Sequence, residues 1–281
     1  MKVAVVHYHL EPGGVTRVIE NTLEALSKLP EPPRGVVLTG RPYSGDRIEK
    51  TVLVEGLDYA SPDKAPDPTV LCERLEITAR ETLGTPPDLW HIHNHSLGKN
   101  PALTEAVHQL AEQGHALLLH LHDFAEDGRP DNHQALAGIH PHLYPAGSRI
   151  RYATLNQRDY SYLKDLTSGH PAPHLLPNAI PEPFGITPAD ENADLPENLY
   201  LYPVRAVRRK NLGELALLAA SYPEFHFANS LGPTNPAFRP TYQYWKNFAT
   251  ERKLPITFGI GDDLPLSFQQ IVGNSHALLT T

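Results

Sequence analysis

The hydrophobic positions of this chain form short apolar runs that alternate with helical patterns. The first run, residues 3–8, is rich in valine, and a glycine-containing break separates it from apolar residues at helical spacing. The same order then recurs, predicting strands at 35–40, 50–55, 86–93, 115–121, 149–155 and 173–176. Helices are predicted at 67–83, 101–113 and 156–166. Strands that alternate with helices in this way indicate a doubly wound, parallel α/β sheet.

A change of composition near residue 181 divides the chain. Residues 181–197 are rich in proline and acidic side chains, which is typical of a linker. The alternation restarts after it, with strands predicted at 198–204, 225–228, 256–258 and 276–280 and helices at 212–221, 240–252 and 264–272. We therefore expect an N-terminal Rossmann-like domain at 1–180, a linker at 181–197 and a partial second Rossmann-like domain at 198–281.

Composition and charge limit the partners and the cellular compartment that can be expected for this chain. The 281 residues carry a net charge of −8 with a pI of about 6.0, so no overall field attracts nucleic acid or an anionic membrane. No apolar run approaches the roughly 20 residues of a membrane-spanning helix. The single cysteine, Cys72, is typical of a reducing compartment. We expect a cytoplasmic protein without a nucleic-acid partner or a transmembrane segment, and the sequence leaves its oligomeric state open.

Histidines accumulate at the ends of two predicted strands. His91, His93 and His95 alternate, and His120 and His122 close the next strand, with Asp123 directly after them. In a parallel sheet both groups reach the carboxyl edge, where such folds bind ligands. Three interpretations remain open: a zinc or manganese site, a polar floor that binds substrate hydroxyls or moves protons, or ordinary surface histidines.

Gly13 and Gly14 lie between the first strand and the first helix. Glycines there let backbone amides approach a ligand, and the helix N-terminus favours an anion. The pair lacks the spacing of a dinucleotide-binding fingerprint, so a simple tight turn is an equally good interpretation.

A basic cluster follows the first strand of the second domain. Arg205, Arg208, Arg209 and Lys210 precede Asn211, which is expected to cap the next helix. Arg205 and Lys210 together suit a diphosphate, and they would stabilise a nucleoside-diphosphate leaving group without a metal. A solvated basic turn is the alternative.

The segment 124–147, directly after Asp123, is long, polar and rich in proline, glycine and histidine. Loops of this length are uncommon without a function, so we expect a flap over the site, with an ordinary insertion as the alternative.

These features in this order resemble the retaining glycosyltransferases of the GT-B fold, in the large nucleotide-sugar-dependent family that includes glycogen-synthase-like and mannosyltransferase-like enzymes. The resemblance covers nearly the whole chain. It is carried by Gly13-Gly14-Val15, His91-Ile-His-Asn-His95, His122-Asp123, Leu176-Pro-Asn-Ala-Ile180 and Arg205 to Lys210. Asn178 departs slightly from the pattern, since alanine follows it where the family has glycine. The resemblance implies two Rossmann-like parallel-sheet domains facing a cleft, the second of them incomplete.

The resemblance also implies residue roles. Arg205 and Lys210 would hold the donor diphosphate, and Gly13 and Gly14 would lie near the donor phosphate or the acceptor. His122 would be catalytic beside the transferred sugar, with Asp123 as its neighbour. Contacts to the sugar or the acceptor would come from His93, Asn94, His95 and Asn178. Such enzymes need no tightly bound metal or cofactor, and their donor is a nucleoside-diphosphate sugar.

The end of the chain departs from the family pattern. In that family, a strand like 276–280 is followed by a Glu-Gly-Phe-Gly segment and a later glutamate that contact the donor, and this sequence stops at Thr281. We therefore expect a truncated chain that binds nucleotide poorly and transfers little sugar by itself.

The leading hypothesis is transfer of a sugar, with retention, to a sugar, lipid or small-molecule acceptor. One alternative is a metal-dependent hydrolase that uses His91, His93, His120 and His122. A non-catalytic binder of sugars or nucleotides is the other.

Overall fold

The structure, a computed structural model, describes residues 1–169, 171–180, 195–233, 236–264 and 266–280. Contacts divide the chain into two compact units, Met1–Pro181 and Glu182–Thr281. Most of the predicted linker, 181–194, lies outside the described residues, as do most of the prolines and acidic side chains that predicted it.

The described part of the first unit contains a parallel sheet of seven strands in the order β3-β2-β1-β4-β5-β6-β7. Its strands are β1 (Lys2–His7), β2 (Arg34–Thr39), β3 (Thr51–Leu53), β4 (Leu89–His93), β5 (Leu117–Leu121), β6 (Ile150–Thr154) and β7 (Pro173–Leu175). The helices between them are α1 (Gly14–Ser27), α2 (Pro68–Leu83), α3 (Pro101–Glu112), α4 (Pro130–Ala135) and α5 (Gln157–Leu166). The parallel α/β architecture predicted from the sequence is confirmed.

One face of this sheet carries the main hydrophobic core. Trp90 and Ile92 of β4 and Leu119 of β5 point to that face, where Leu75 of α2 and Leu103 of α3 meet them in a single buried cluster. Each of these side chains contributes about 1.5–3 kcal/mol when removed from water. Because neighbouring residues of a strand face opposite sides, His91, His93 and His120 must then point to the other face.

Helix boundaries follow from local chemistry. The Asp67 side chain caps α2 by accepting hydrogen bonds from the amides of Thr69 and Val70, and Pro68 begins the helix. The helix ends at Gly84, whose φ of 79° lies in the left-handed region that glycine occupies without strain. Asn100 caps α3 in the same way, through the amide of Ala102.

The second unit contains a parallel sheet in the order β10-β9-β8-β11 within its described residues. The strands are β8 (Leu199–Arg205), β9 (His226–Leu231), β10 (Ile256–Phe258) and β11 (Ala277–Leu278). Its helices are α6 (Leu212–Ser221), α7 (Arg239–Glu251), α8 (Ile260–Asp263) and α9 (Phe268–Gly273). The helix predicted at 264–272 is therefore wrong at its start. Leu264 and Leu266 pack against a core cluster outside any helix, and Ser267 begins α9 with a capping box.

The segment 124–147 is folded rather than extended. It contains α4 and a single 3₁₀ turn, His140–His142, and it buries a small core of its own made by Ala125, Leu136 and Leu143. His142 contacts the Glu105 carboxylate of α3 at 2.8 Å, which ties the segment to the main body of the unit. The segment predicted to be a flap over the site is thus a packed part of the first unit.

A pair of glycine substitutions tests how tightly β2 approaches its neighbouring loop. At Gly40 a Cβ would lie 2.2 Å from the Asp58 nitrogen, whereas at Gly14 it would meet nothing within 4 Å. We expect Gly40→Ala to lower the free energy of unfolding by at least about 2 kcal/mol, since backbone must shift, and Gly14→Ala to leave it nearly unchanged. Denaturant unfolding measures both. Equal stability of the two variants would contradict the packing.

Candidate active site

Polar side chains of the first unit gather where β1, β4 and β5 end. β4 pairs with both other strands, with Val6 opposite Ile92 and His93 opposite His120. The strand ends therefore bring His7, His93 and His122 to one edge of the sheet, as the sequence predicts for parallel strands.

Asn94 joins the ends of β4 and β5. Its side-chain oxygen accepts hydrogen bonds from the amides of His122, at 2.7 Å, and Asp123, at 3.3 Å, and its backbone carbonyl accepts the Tyr8 hydroxyl at 2.8 Å. With φ at 56°, Asn94 occupies the left-handed region, which asparagine tolerates better than most residues. Asn94 is predicted to contact sugar or acceptor; in the structure its side chain is buried and holds the backbone of His122 and Asp123.

The His95 side chain is also hydrogen-bonded inside the first unit. Its side chain is buried, and Nε2 donates to the Leu143 carbonyl at 2.8 Å, while the Thr104 hydroxyl donates to the His95 carbonyl. His95 is also predicted to contact sugar or acceptor, and in the structure its imidazole anchors the segment 124–147.

Four imidazoles stack on the face of the sheet opposite the main core. His91 Nε2 lies 3.2 Å from His120 Nδ1, and His93 Nδ1 lies 2.8 Å from His122 Nε2. The ring centroids of His120 and His122 are 4.4 Å apart. Three of the four rings are buried, with His93 1% exposed and His120 2% exposed, and His122 is partly exposed.

Burial determines the charge of this group. Desolvation lowers the pKa of His91 to about 3, of His120 to about 4 and of His122 to about 2, and it lowers that of His93 well below 6.5. Neighbouring histidines lower the pKa values of His91, His93 and His122 further, because like charges repel. All four rings are neutral near pH 7. His122 is therefore a neutral hydrogen-bonding group at this edge of the sheet near pH 7.

Neutral imidazoles are also the form that binds metals. One nitrogen from each of His91, His93 and His120 can be chosen so that the three atoms lie within 4.8 Å of one another. Among the described residues, these three histidines are close enough together to hold a cation. His122 lies beside it, in contact with His93.

Asp123 follows His122 at the edge and is partly exposed. Its carboxylate forms an ion pair with Arg129, which also donates to the Phe124 carbonyl. Arg129 comes from the loop before α4, so the segment 124–147 supplies the cation that faces Asp123. No sequence motif predicts this pair.

Gly13 and Gly14 begin α1 at the same edge. Gly13 is extended, with φ at −178°, and neither glycine needs the left-handed region. A Cβ at Gly14 would meet nothing, and at Gly13 it would make an ordinary contact. The backbone conformation at these two positions therefore does not require glycine. The space beside Gly14 is open.

Asn178 is exposed on the stretch that follows β7. The next residue, Ala179, accepts a hydrogen bond from the Asn21 side chain of α1 at 2.8 Å. Asn21 lies seven residues after Gly14, about two turns along the helix. Asn178 therefore lies near the middle of α1, away from the glycines.

A cavity of about 550 Å³ lies beside α1 on the histidine face. Val5, Ile19 and Ile48 supply apolar walls, and His91 and His93 line another part of it. The two imidazoles can therefore be reached from this cavity.

In the second unit, Arg205 ends β8 and lines a cavity of about 480 Å³. Arg239, the first residue of α7, lines the same cavity, so a second cation and a helix N-terminus face that space. Asp262 also lines it, with its carboxylate accepting the Gly232 amide at 2.6 Å. Sequence reasoning missed Arg239 because it is 34 positions from Arg205 and belongs to no motif.

Lys210 and Asn211 follow Arg205 in the basic cluster. Lys210 ends a 3₁₀ turn, Arg208–Lys210, and does not line that cavity. Asn211 was expected to cap α6, which is wrong: its side chain accepts no capping hydrogen bond, and its φ is 24°.

Asn229 plays a part in the second unit like that of Asn94 in the first. It is fully buried, donates to the Leu231 carbonyl at 2.7 Å and accepts the Gly259 amide at 3.0 Å. It therefore joins the ends of β9 and β10.

The chain is similar along its length to mannosylglucosyl-3-phosphoglycerate synthase of Petrotoga mobilis. The two are 28% identical over 308 residues, covering 99% of this chain and 59% of that protein. The chain thus spans less than two thirds of the length of this relative. No family model matches the chain.

Two solved structures of glycosyltransferases are similar in fold. One is the lipopolysaccharide outer core galactosyltransferase WaaB in its apo form, with a TM-score of 0.59 and 14% identity, covering 99% of this chain and 73% of that one. The other is an alpha-glucosyltransferase in complex with UDP and a 13-mer DNA containing a central A:G mismatch, with a TM-score of 0.53 and 11% identity, covering 99% and 71%. The chain has the parallel-sheet α/β fold of GT-B glycosyltransferases, as the sequence resemblance implies.

Among the described residues, no helix is both long enough and apolar enough to cross a membrane.

The joint at Asn94 is open to a direct test. Asn94→Gly keeps the left-handed backbone but removes the acceptor, so the two amides of His122 and Asp123 lose their partner. We expect a loss of about 2 kcal/mol in the free energy of unfolding, because buried donors without partners are costly. Hydrogen exchange followed by NMR should accelerate at those two amides and stay slow at Leu119 of the same strand. Unchanged protection at His122 would show that Asn94 is not the joint.

Proposed function

We propose that this chain is a glycosyltransferase that takes a sugar from a nucleoside-diphosphate sugar. The observation that carries the proposal is the similarity to mannosylglucosyl-3-phosphoglycerate synthase over 99% of the chain, in a fold shared with two other glycosyltransferases. The UDP in the second of those structures is consistent with a nucleotide-sugar donor.

The donor diphosphate is assigned to the second unit. Arg205 and Lys210 are the predicted ligands, and Arg239 joins them because it shares the Arg205 cavity at the start of α7. Arginine forks onto phosphate oxygens, and helix N-termini favour anions. Cations on the diphosphate stabilise the departing nucleotide as its charge develops. The Asp262 carboxylate would repel an anion in this cavity. The hydrogen bond that it accepts from the Gly232 amide weakens this repulsion.

The transferred sugar is assigned to the carboxyl edge of the first unit. His122 and Asp123 are the predicted catalytic residues. Because burial keeps His122 neutral, its role is to hydrogen-bond a sugar hydroxyl rather than to supply a proton at neutral pH. Asp123 is held by Arg129 at the same edge. Gly13 and Gly14 leave open space beside these residues for the donor phosphate or the acceptor. Transfer with retention remains our proposal from the family resemblance.

The acceptor is proposed to be a small phosphorylated sugar derivative rather than a lipid. The name of the relative from Petrotoga mobilis indicates a phosphoglycerate-bearing product for that enzyme. Cations with aromatic neighbours lie in the first unit: Lys99 Nζ is 5.4 Å from the Tyr59 ring centroid, and Arg41 Cζ is 5.8 Å from it. Such a group suits an anionic sugar, although Glu11 and Asp58 already pair with Arg41.

The metal-dependent hydrolase is not favoured as a second function. The histidines do meet, but the relative and both solved structures are sugar transferases. A non-catalytic binder lacks any specific observation in its favour.

Calorimetry with UDP and GDP tests the donor site. We expect one nucleotide to bind, and Arg205→Ala to weaken it by about 10- to 100-fold, since a charge-assisted hydrogen bond contributes about 1.5–3 kcal/mol. Arg239→Ala should weaken it to a similar degree. Arg209→Ala is the matched control, because that exposed cation lies outside the cavity and should leave binding unchanged.

Transfer itself is tested with radiolabelled UDP- and GDP-sugars and phosphorylated sugar acceptors. Any label that enters the acceptor with the wild-type chain, for which little transfer is expected, should be lost with His122→Ala. Nucleotide binding that persists in Arg205→Ala/Arg239→Ala, or equal weakening by Arg209→Ala, would contradict the donor site.

A further inference from the structure

Three buried imidazoles of the first unit converge from two neighbouring strands. His91 and His93 alternate on β4, and His120 lies beside His93 on β5, so the pleat places all three on one face. One nitrogen from each ring can be chosen so that the three atoms lie within 4.8 Å of one another. His91 Nε2 and His120 Nδ1 are already 3.2 Å apart. Two nitrogens bound to one tetrahedral zinc at about 2.05 Å are separated by about 3.3 Å, so this pair nearly has the spacing of zinc ligands.

His93 provides an unsatisfied nitrogen. Its Nδ1 contacts His122, and its Nε2 is buried with no hydrogen-bond partner among the described residues. A buried polar atom without a partner costs about 1–3 kcal/mol, and the ring is only 1% exposed. A metal ion bound at Nε2 would satisfy this atom.

We propose that His91, His93 and His120 form a binding site for a zinc-class divalent cation, with His93 binding through Nε2. Three imidazoles leave the fourth tetrahedral position for water or an anion. The cation reaches the site from the cavity beside α1, which His91 and His93 line. This site goes beyond the proposed sugar transfer, which needs no metal, and it reverses the sequence-based expectation of a chain without one.

The ligand set selects the metal. Imidazole nitrogen suits zinc, copper, nickel and cobalt, whereas magnesium, calcium and manganese prefer oxygen. The described residues contribute no carboxylate to the group. Imidazole binds a metal ion in its neutral form.

The cation would also orient His122. With the metal on His93 Nε2, the proton of His93 lies on Nδ1 and is donated to His122 Nε2, 2.8 Å away. The proton of His122 then lies on Nδ1. The metal-bound His93 thus fixes the tautomer of His122, as outer-shell hydrogen bonds do at other metal sites.

Cobalt provides the test because four-coordinate Co²⁺ absorbs visible light intensely. The full chain is stripped with EDTA and titrated with Co²⁺ and then with Zn²⁺. We expect one Co²⁺ per chain, displacement by Zn²⁺ and a higher melting temperature with Zn²⁺, because a ligand that binds only the folded state stabilises it. His91→Gln and His120→Gln should weaken binding at least 100-fold.

The control is His108→Gln. The His108 ring stacks on the His142 ring, with centroids 4.1 Å apart, and neither residue is a proposed ligand. This variant should bind Co²⁺ as the wild type does. If a variant fails to fold, imidazole NMR of the wild-type chain replaces it: Zn²⁺ should shift His91, His93 and His120 and leave His108 and His142 unchanged. No stoichiometric binding at micromolar free Zn²⁺ overturns the proposal. Full binding by folded His91→Gln, or shifts confined to His108 and His142, overturns it as well.

Discussion

The two-residue period of β4 and β5 is the constraint on which the first unit depends. Because neighbouring side chains leave a strand on opposite faces, Trp90 and Ile92 can enter the core under α2 and α3 only if His91 and His93 face the other way. The hydrophobic packing that stabilises the sheet therefore also places the imidazoles. A shift of one residue in register would exchange the two sets, burying imidazoles under the helices and exposing the core.

The ends of parallel strands create a second requirement, since backbone groups there lose their ladder partners. Each unit meets it with a buried asparagine, Asn94 in the first and Asn229 in the second. Asn94 accepts two amides, and Asn229 both donates and accepts. These side chains therefore hold the backbone just beyond the strand ends. In the first unit that backbone belongs to His122 and Asp123, which are proposed to meet substrate. The same hydrogen bonds thus stabilise the fold and position these two residues.

The sequence was sufficient for the architecture because hydrophobic periodicity is a local property. It also placed His93 and His122 at one edge, since parallel strands end together. It did not predict the interior roles of Asn94 and His95, which depend on partners in other elements. The partnership of Arg239 with Arg205 and that of Arg129 with Asp123 are tertiary and have no local signal. Around 264–272 the apolar spacing fits a helix and a packed loop equally well, so periodicity alone was misleading there.

The buried histidines make the stability of the first unit depend on pH. In the unfolded chain each imidazole binds a proton as pH falls through about 6.5, whereas in the folded unit His91 and His120 do so only near pH 3 to 4. Between these values the unfolded state holds more protons, so acid shifts the equilibrium towards it. The stability contributed by keeping the rings neutral is complete above pH 6.5 and is lost as pH falls to about 3. Mild acidity therefore lowers the free energy of unfolding of the unit that carries the candidate site.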